Sequence, residues 1–251
     1  MNGFFVSGLK YSQTCIAKVH KLLTFIFVVS SCYNSNAQVP GRPGFVAPMS
    51  FGVHFDPVIS WFGTNIDAVS NQGARPGFNF GISYNRYFGP NYSFSTGINI
   101  INAGGRLISR ETTLFELKNY EYKIATVGPN EAIIYKIQYM AVPLGLKLQT
   151  NQIGYMTFFA DLGIDPKVVI GGKADIPSLQ IKGETATAEL RAFNLSYHVM
   201  TGVEYSVGGT TAVVLGLGFD NNFFDITKDN GEQPADRVSH KLFSFRMGVN
   251  F

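Results

Sequence analysis

Ser196 stands two residues before His198, and His54 and His240 are the other histidines beyond residue 20. A hydroxyl near an imidazole is raw material for nucleophilic catalysis. Such a nucleophile needs a base in hydrogen-bond reach and a third group that orients the base. Residues i and i+2 of a strand share a face without meeting, so Ser196 and His198 read as polar neighbours on one strand face. The three histidines fall on separate segments without ligand spacing, which argues against a metal site. Gly171-Gly172 and Gly208-Gly209 read as turn glycines, and no phosphate loop of the Walker type is present. The expectation is a non-enzyme with no catalytic residue, no metal and no cofactor.

A different chemistry is available to Asp56, Lys147, Asp161, Glu204, Asp220 and Arg246. All six fall on the small or polar face of alternating segments. Charges enclosed together must pair or stay hydrated. If the first and last strands close a barrel, Asp56 and Arg246 come from neighbours and form one ion pair. Lys147 and Glu204 form a second pair nearer the short turns. The pairs are expected to plug and rigidify the lumen; a gate is the alternative use of the same residues.

The elements that would hold these residues are strands. From Met49 to Phe251 the chain reads as about eight segments of period-two alternation. Phe51, Val53 and Phe55 oppose Gly52, His54 and Asp56. Phe243, Phe245, Met247, Val249 and Phe251 oppose Ser244, Arg246, Gly248 and Asn250. One face of every segment is apolar, whereas the other is mostly Gly, Ser and Asn. A soluble sandwich would carry Lys, Glu, Thr and Arg on its outside. Only 15% of the chain is charged against 45% hydrophobic, and a soluble domain carries nearer a quarter. No apolar run reaches the roughly 18 residues of a spanning helix, so crossing a bilayer requires a closed barrel.

Loop lengths point the same way. Phe88-Gly-Pro-Asn91, Thr150-Asn-Gln152 and Val207-Gly-Gly-Thr210 are short turns. Long connections are expected at 60–75, 103–133, 171–191 and 221–240, with Leu114-Phe-Glu-Leu117 and Tyr120-Glu-Tyr122 extending a strand pair above the membrane. Short turns on the periplasmic side and long loops outside are the pattern of outer-membrane barrels. The fold expected is all-β, an eight-stranded antiparallel transmembrane β-barrel with four long extracellular loops and three short periplasmic turns. Tyr87, Phe88, Tyr92 and Tyr205 would ring its lower edge, and Trp61, Phe62, Phe219 and Phe243 its upper edge. Pro143 cannot donate to a ladder, so it should mark a bulge or bend in the fourth strand. Pro57 raises the same difficulty in the first.

Residues 1–37 read as a signal peptide, with Leu22–Val29 as its apolar core and Ser35-Asn36-Ala37 before the cut. Both cysteines, Cys15 and Cys32, lie within it, so the mature chain would have no disulfide. Val29-Ser30-Ser31-Cys32 offers a rival lipoprotein site, to which Ala37-Gln38 is preferred. Residues 38–48 are a periplasmic lead-in and 49–251 the barrel. The net charge of +3 is too small and dispersed for nucleic acid. The expected surroundings are the cell outer membrane and its lipids.

Tyr139-Met-Ala-Val-Pro-Leu-Gly-Leu-Lys147 resembles the Tyr-Leu-Glu-Ile-Pro-x-x-x-Lys signature of the PorT-like outer-membrane β-barrel family. Gly52–Trp61 and Leu217–Asn222 resemble that family's first and penultimate strands. The terminal Phe251 resembles the signal read by the outer-membrane assembly machinery, a further expected partner. The family's Glu position holds Ala141 here. The resemblance implies an eight-stranded barrel that serves the type IX protein secretion system as a structural or assembly component, in contact with other secretion components. The alternatives are a small porin-like channel, or a general structural barrel with no secretion role.

Overall fold

A computed structural model describes residues 49–64, 69–110, 112–116, 124–228 and 238–251, all within one unit, Arg42–Phe251. The signal peptide and lead-in, and Leu117 with Tyr120–Tyr122, lie outside the described residues. The strands are β1 (Met49–Thr64), β2 (Val69–Asn71), β3 (Arg75–Gly89), β4 (Tyr92–Ser109), β5 (Thr113–Glu116), β6 (Ile124–Val127) and β7 (Ala132–Ala141). They continue with β8 (Leu144–Gln149), β9 (Met156–Ile176), β10 (Ile181–Thr185), β11 (Phe193–Gly208), β12 (Thr211–Asn222) and β13 (Val238–Asn250). Short 3-10 turns at Pro177–Leu179 and Thr187–Glu189 flank β10.

Eight positions close the ring. β1 pairs with β3, β3 with β4, and β4 with β7 and β8 in tandem; these pair with β9, then follow β11, β12 and β13. β13 returns to β1 from Gly52 opposite Asn250 up to Thr64 opposite Val238. Every pairing is antiparallel. β5 and β6 form a two-stranded ladder of their own. Its register continues that of β4 and β7, with Ile108 opposite Ala132 and Thr113 opposite Val127, so Leu114–Glu116 extends that strand pair beyond the wall.

Pro143 falls in the gap between β7 and β8. The register to β9 is the same on both sides of it, with Ala141 opposite Lys167 and Leu144 opposite Ile164. The proline interrupts bonding without slipping the strand. The bulge lies elsewhere, between Gln138 and Tyr139 opposite Gly171 and Val169. Pro57 keeps its place opposite Phe78 in β3.

The outer face is apolar from end to end of the expected belt: Phe51, Ile59, Phe80, Ile98, Leu162, Leu215 and Met247 are all exposed. Phe88 stacks on Tyr92, and Tyr155 meets Tyr205 at a tilt, at the short-turn edge. Trp61 meets Phe219 at the other. Two ring residues are misplaced by the sequence reading. Phe62 is fully buried inside, and Tyr87 shares the inner face with Ser93, directly opposite it.

The strands also run further than their expected limits. β1 continues to Thr64, β4 to Ser109 and β9 to Ile176, while β7 begins at Ala132 and β13 at Val238. In these extensions the alternation inverts. Leu107, Ile133, Tyr135, Ile137, Ile176 and Val238 point inward and pack with Phe62, Leu190 and Ile226. The hydrophobic core thus fills the long-loop half of the barrel, while the short-turn half is polar within.

Candidate functional site

The inner face of the short-turn half brings the charged residues together in layers. Lowest are Lys147 of β8 and Glu204 of β11, in direct contact. Glu204 also accepts Gln149 Nε2 at 2.7 Å and Asn250 Nδ2 at 2.8 Å, so its carboxylate is held by three donors. Lys147 Nζ lies 4.6 Å from the centre of the Phe159 ring. Phe159 with Met200 and Val214 makes a small apolar contact in this polar region.

Across the seam, Arg246 Nη2 of β13 donates to Asp56 Oδ2 of β1 at 3.2 Å. Asn79 Nδ2 donates to the same oxygen at 2.9 Å, and His54 Nδ1 approaches it to 3.0 Å. Asp56 is fully buried. A buried carboxylate is tolerable only with its lone pairs taken up in this way.

The third layer sits nearer the middle. His198 has Asp165 Oδ1 at 2.8 Å from Nδ1 and Asp161 Oδ1 at 3.7 Å from Nε2. Lys167 Nζ donates to both oxygens of Asp220 at 3.1 Å. Ser196 Oγ donates to Asp220 Oδ2 at 3.0 Å. The Ser196 hydroxyl is therefore engaged by a carboxylate, and the imidazole two residues on has carboxylate partners of its own. This geometry makes no nucleophile and base pair. Among the described residues no group of three or more His, Cys, Asp or Glu is placed to hold a metal ion.

Asp165 and Lys167 were missed by the sequence reading, although the signal was present. The inward parity of Asp161 and Gly163 continues unbroken to Asp165 and Lys167 on β9, all sharing the buried face. His240, placed in a loop by sequence, is inward on β13 by the parity of Arg246 and Ser244. Its Nδ1 lies 3.3 Å from the Tyr139 hydroxyl, which links the charged layers to the apolar core above.

Packing leaves little space. The larger cavity is about 70 Å³, bordered by His54, Asn79, Asn99, Asp161, Asp165 and His198 among others. A second, of about 20 Å³, lies beside Lys147 and Asn250. These volumes suit a few waters and one water. Glycines make room for the bulky inward groups. A Cβ on Gly105 would stand 2.6 Å from the Phe62 ring, while one on Gly163 would meet the Leu144 carbonyl oxygen at 2.3 Å as well as the His198 ring at 2.7 Å.

A closed antiparallel ring with an apolar outside and a filled, polar-to-apolar interior defines a transmembrane β-barrel of the outer-membrane type. Residues 37–228 match the family model described as outer membrane protein beta-barrel domain, and the chain belongs to that family. The protein is thus an outer-membrane protein. Among solved structures it is similar to Neisserial surface protein A, at 10% identity over 80% of this chain and 95% of that one, TM-score 0.44. It is also similar to Ail, the attachment invasion locus protein of Yersinia pestis, at 12% identity over 82% and 100%, TM-score 0.40. OprG from Pseudomonas aeruginosa is similar at 8% identity over 81% and 95%, TM-score 0.43. No curated protein sequence matches the chain.

Proposed function

We propose that this protein is a closed, non-enzymatic outer-membrane barrel that serves as a structural or assembly component of the type IX protein secretion system. The observation that carries the closed state is the filling of the lumen among the described residues: three charged layers below and an apolar core above, with adjoining cavities of about 70 and 20 Å³ among the charged layers. A barrel blocked in this way acts through its ends and its outer wall.

The secretion role rests on the resemblance of Tyr139–Lys147 to the PorT-like signature. Its positions fall where they bear on the plug. Tyr139 and Lys147 are both buried on the inner face, and Pro143 interrupts the strand between them. Ala141, at the family's Glu position, stands opposite Lys167. A carboxylate there would face that ammonium; in this chain Asp220 supplies one instead. Phe251 is proposed as the residue read by the assembly machinery. It is exposed on the outer face and exchanges backbone bonds with Phe51, at 2.8 and 3.0 Å.

Secretion of type IX cargo in a deletion strain tests the role. Cargo should accumulate inside the cell, and secretion components should co-purify with the tagged barrel. Normal secretion would leave a general structural barrel. Ion flux through the purified protein would favour the small porin-like channel.

A further inference from the structure

Above the apolar belt the outer face of β4, β7 and β9 turns basic. Arg106 stands opposite Ile134, Ile134 opposite Asp175, and Lys136 opposite Lys173, so all five side chains share one face. That face is the outer one, because the alternate residues Leu107, Ile133, Tyr135 and Ala174 are buried in the core. Lys136 is paired with Asp175, whose carboxylate also accepts the Gly183 N–H at 2.7 Å. Burial alone would raise Asp175; the Lys136 ammonium and the Gly183 donor outweigh it and hold the carboxyl below its ordinary value of 3.8. The carboxylate is thus fully committed. Exposed Arg106 and Lys173 have no ion-pair partner among the described residues.

Two lysines directly opposite on paired strands repel each other, a cost that a sheet usually avoids. Here a third cation, Arg106, lies diagonal to Lys136, and the Asp175 carboxylate is paired with Lys136. The surplus is positive, and it sits at a telling height. Met140 and Ile170 are exposed apolar residues lower on the same strands. Three or four strand positions separate them from Lys173 and Lys136, a rise of roughly 8–10 Å at ordinary strand pitch and tilt. The long stems reach back toward the belt, which puts the charged heads in the headgroup layer.

We propose that Arg106, Lys136 and Lys173 form a site for the phosphate groups of an anionic lipid of the outer leaflet. The patch is continuous with the lipid-facing wall, so an acyl chain can lie on Met140, Ile170 and Val168 while the headgroup meets the cations. A soluble phosphate would gain only the second contact. The anion removes the Lys136–Lys173 repulsion and gives Lys173 and Arg106 partners. Lys241, on β13 at the opposite wall, supplies an internal comparison: it is outward and near Trp61, but has no second cation opposite it.

The test uses the full-length barrel reconstituted in phosphatidylcholine vesicles doped with a bis-phosphorylated glycolipid of the lipid A type. Glycolipid retained after mild extraction is counted by native mass spectrometry. The wild type should retain it. Each cation removed should weaken retention about five-fold, so Lys173→Gln falls about five-fold and the Arg106→Gln, Lys173→Gln double variant about 25-fold. Heat-modifiable mobility, which reports the folded barrel, should stay unchanged, and Lys241→Gln should retain glycolipid as the wild type does. Equal retention by the double variant would overturn the site. So would an equal loss in Lys241→Gln, which would mean unspecific attraction. Complete displacement by millimolar inorganic phosphate would mean a soluble-anion site and overturn the lipid assignment.

Discussion

The short-turn and long-loop halves of this barrel are filled by opposite means, on the same strands. In the lower half Asp56, Arg246, Lys147, Glu204, Lys167 and Asp220 face inward in pairs, and the outer surface is apolar. In the upper half Phe62, Tyr135, Ile137 and Ile176 face inward, and Arg106, Lys136 and Lys173 face out. Strand β7 shows the exchange in a few residues: Lys136 and Gln138 are outward above, Met140 outward below. The solvent on the outside changes from lipid to water at this level, and the inner face changes in answer. Each half solves a different problem. Within the bilayer a narrow lumen is cheaply filled by polar groups that satisfy one another, because the lipid already takes the apolar face. Above it the wall is wet on the outside, so its stability has to come from an apolar core as in a soluble protein.

The largest expected effects set the two halves against each other. Arg246→Ala leaves Asp56 buried without its cation, and should cost about 3–5 kcal/mol in unfolding from detergent or lipid. Adding Asp56→Ala should cost little more, since the stranded charge goes with it. Phe62→Ala empties part of the upper core and should cost about 3–5 kcal/mol by the lost burial and the cavity. The seam pair and Phe62 lie about 20 Å apart along β1, so Arg246→Ala and Phe62→Ala should add. Full additivity of Arg246→Ala with Asp56→Ala, or strong coupling between Arg246→Ala and Phe62→Ala, would break the two-region description.

Overfilling gives a middle-sized effect. Gly105→Ala drives a methyl into the Phe62 ring and should cost about 1–3 kcal/mol. Combining it with Phe62→Leu should return part of that loss, measured by the shift of the heat-modifiable mobility transition. No recovery would mean that Gly105 is required by the backbone rather than by the ring.

The smallest effect belongs to the outer face of the upper half. The carboxyl of Asp175 titrates below 3.8 when folded. Its contribution is therefore present at neutral pH, above the unfolded value, and is lost as pH falls through and below that value. Asp175→Asn should flatten this part of the acid dependence while leaving stability at neutral pH only slightly lower. An unchanged acid profile in the variant would remove Asp175 from the account.

The lower half was legible in the sequence because membrane strands alternate in one sense throughout. Lipid forces Phe51, Val53 and Phe55 outward, which leaves His54 and Asp56 inside. The same reasoning places Arg246, Lys147 and Glu204 on the inner face. The upper half was not legible, because the alternation there is reversed and runs through segments that look like loops. Ile133, Tyr135 and Ile137 alternate with Ile134, Lys136 and Gln138, a pattern that belongs to a wet sheet and carries no membrane signature. Phe62 was assigned to the outer ring of aromatics for a similar reason. Its neighbour Trp61 does lie on the outer face, and only the strict parity of β1 separates them. Lys167 and Asp165 were hidden by a strand ended too early, although period two carried on through both.

Planar-bilayer recording of the purified wild-type barrel tests the closed, doubly filled lumen most directly. Single insertions verified by heat-modifiable mobility should show no steady conductance, because paired charges fill one half and an apolar core the other. A stable open channel in the wild-type protein would contradict the plug and move the porin-like reading to first place.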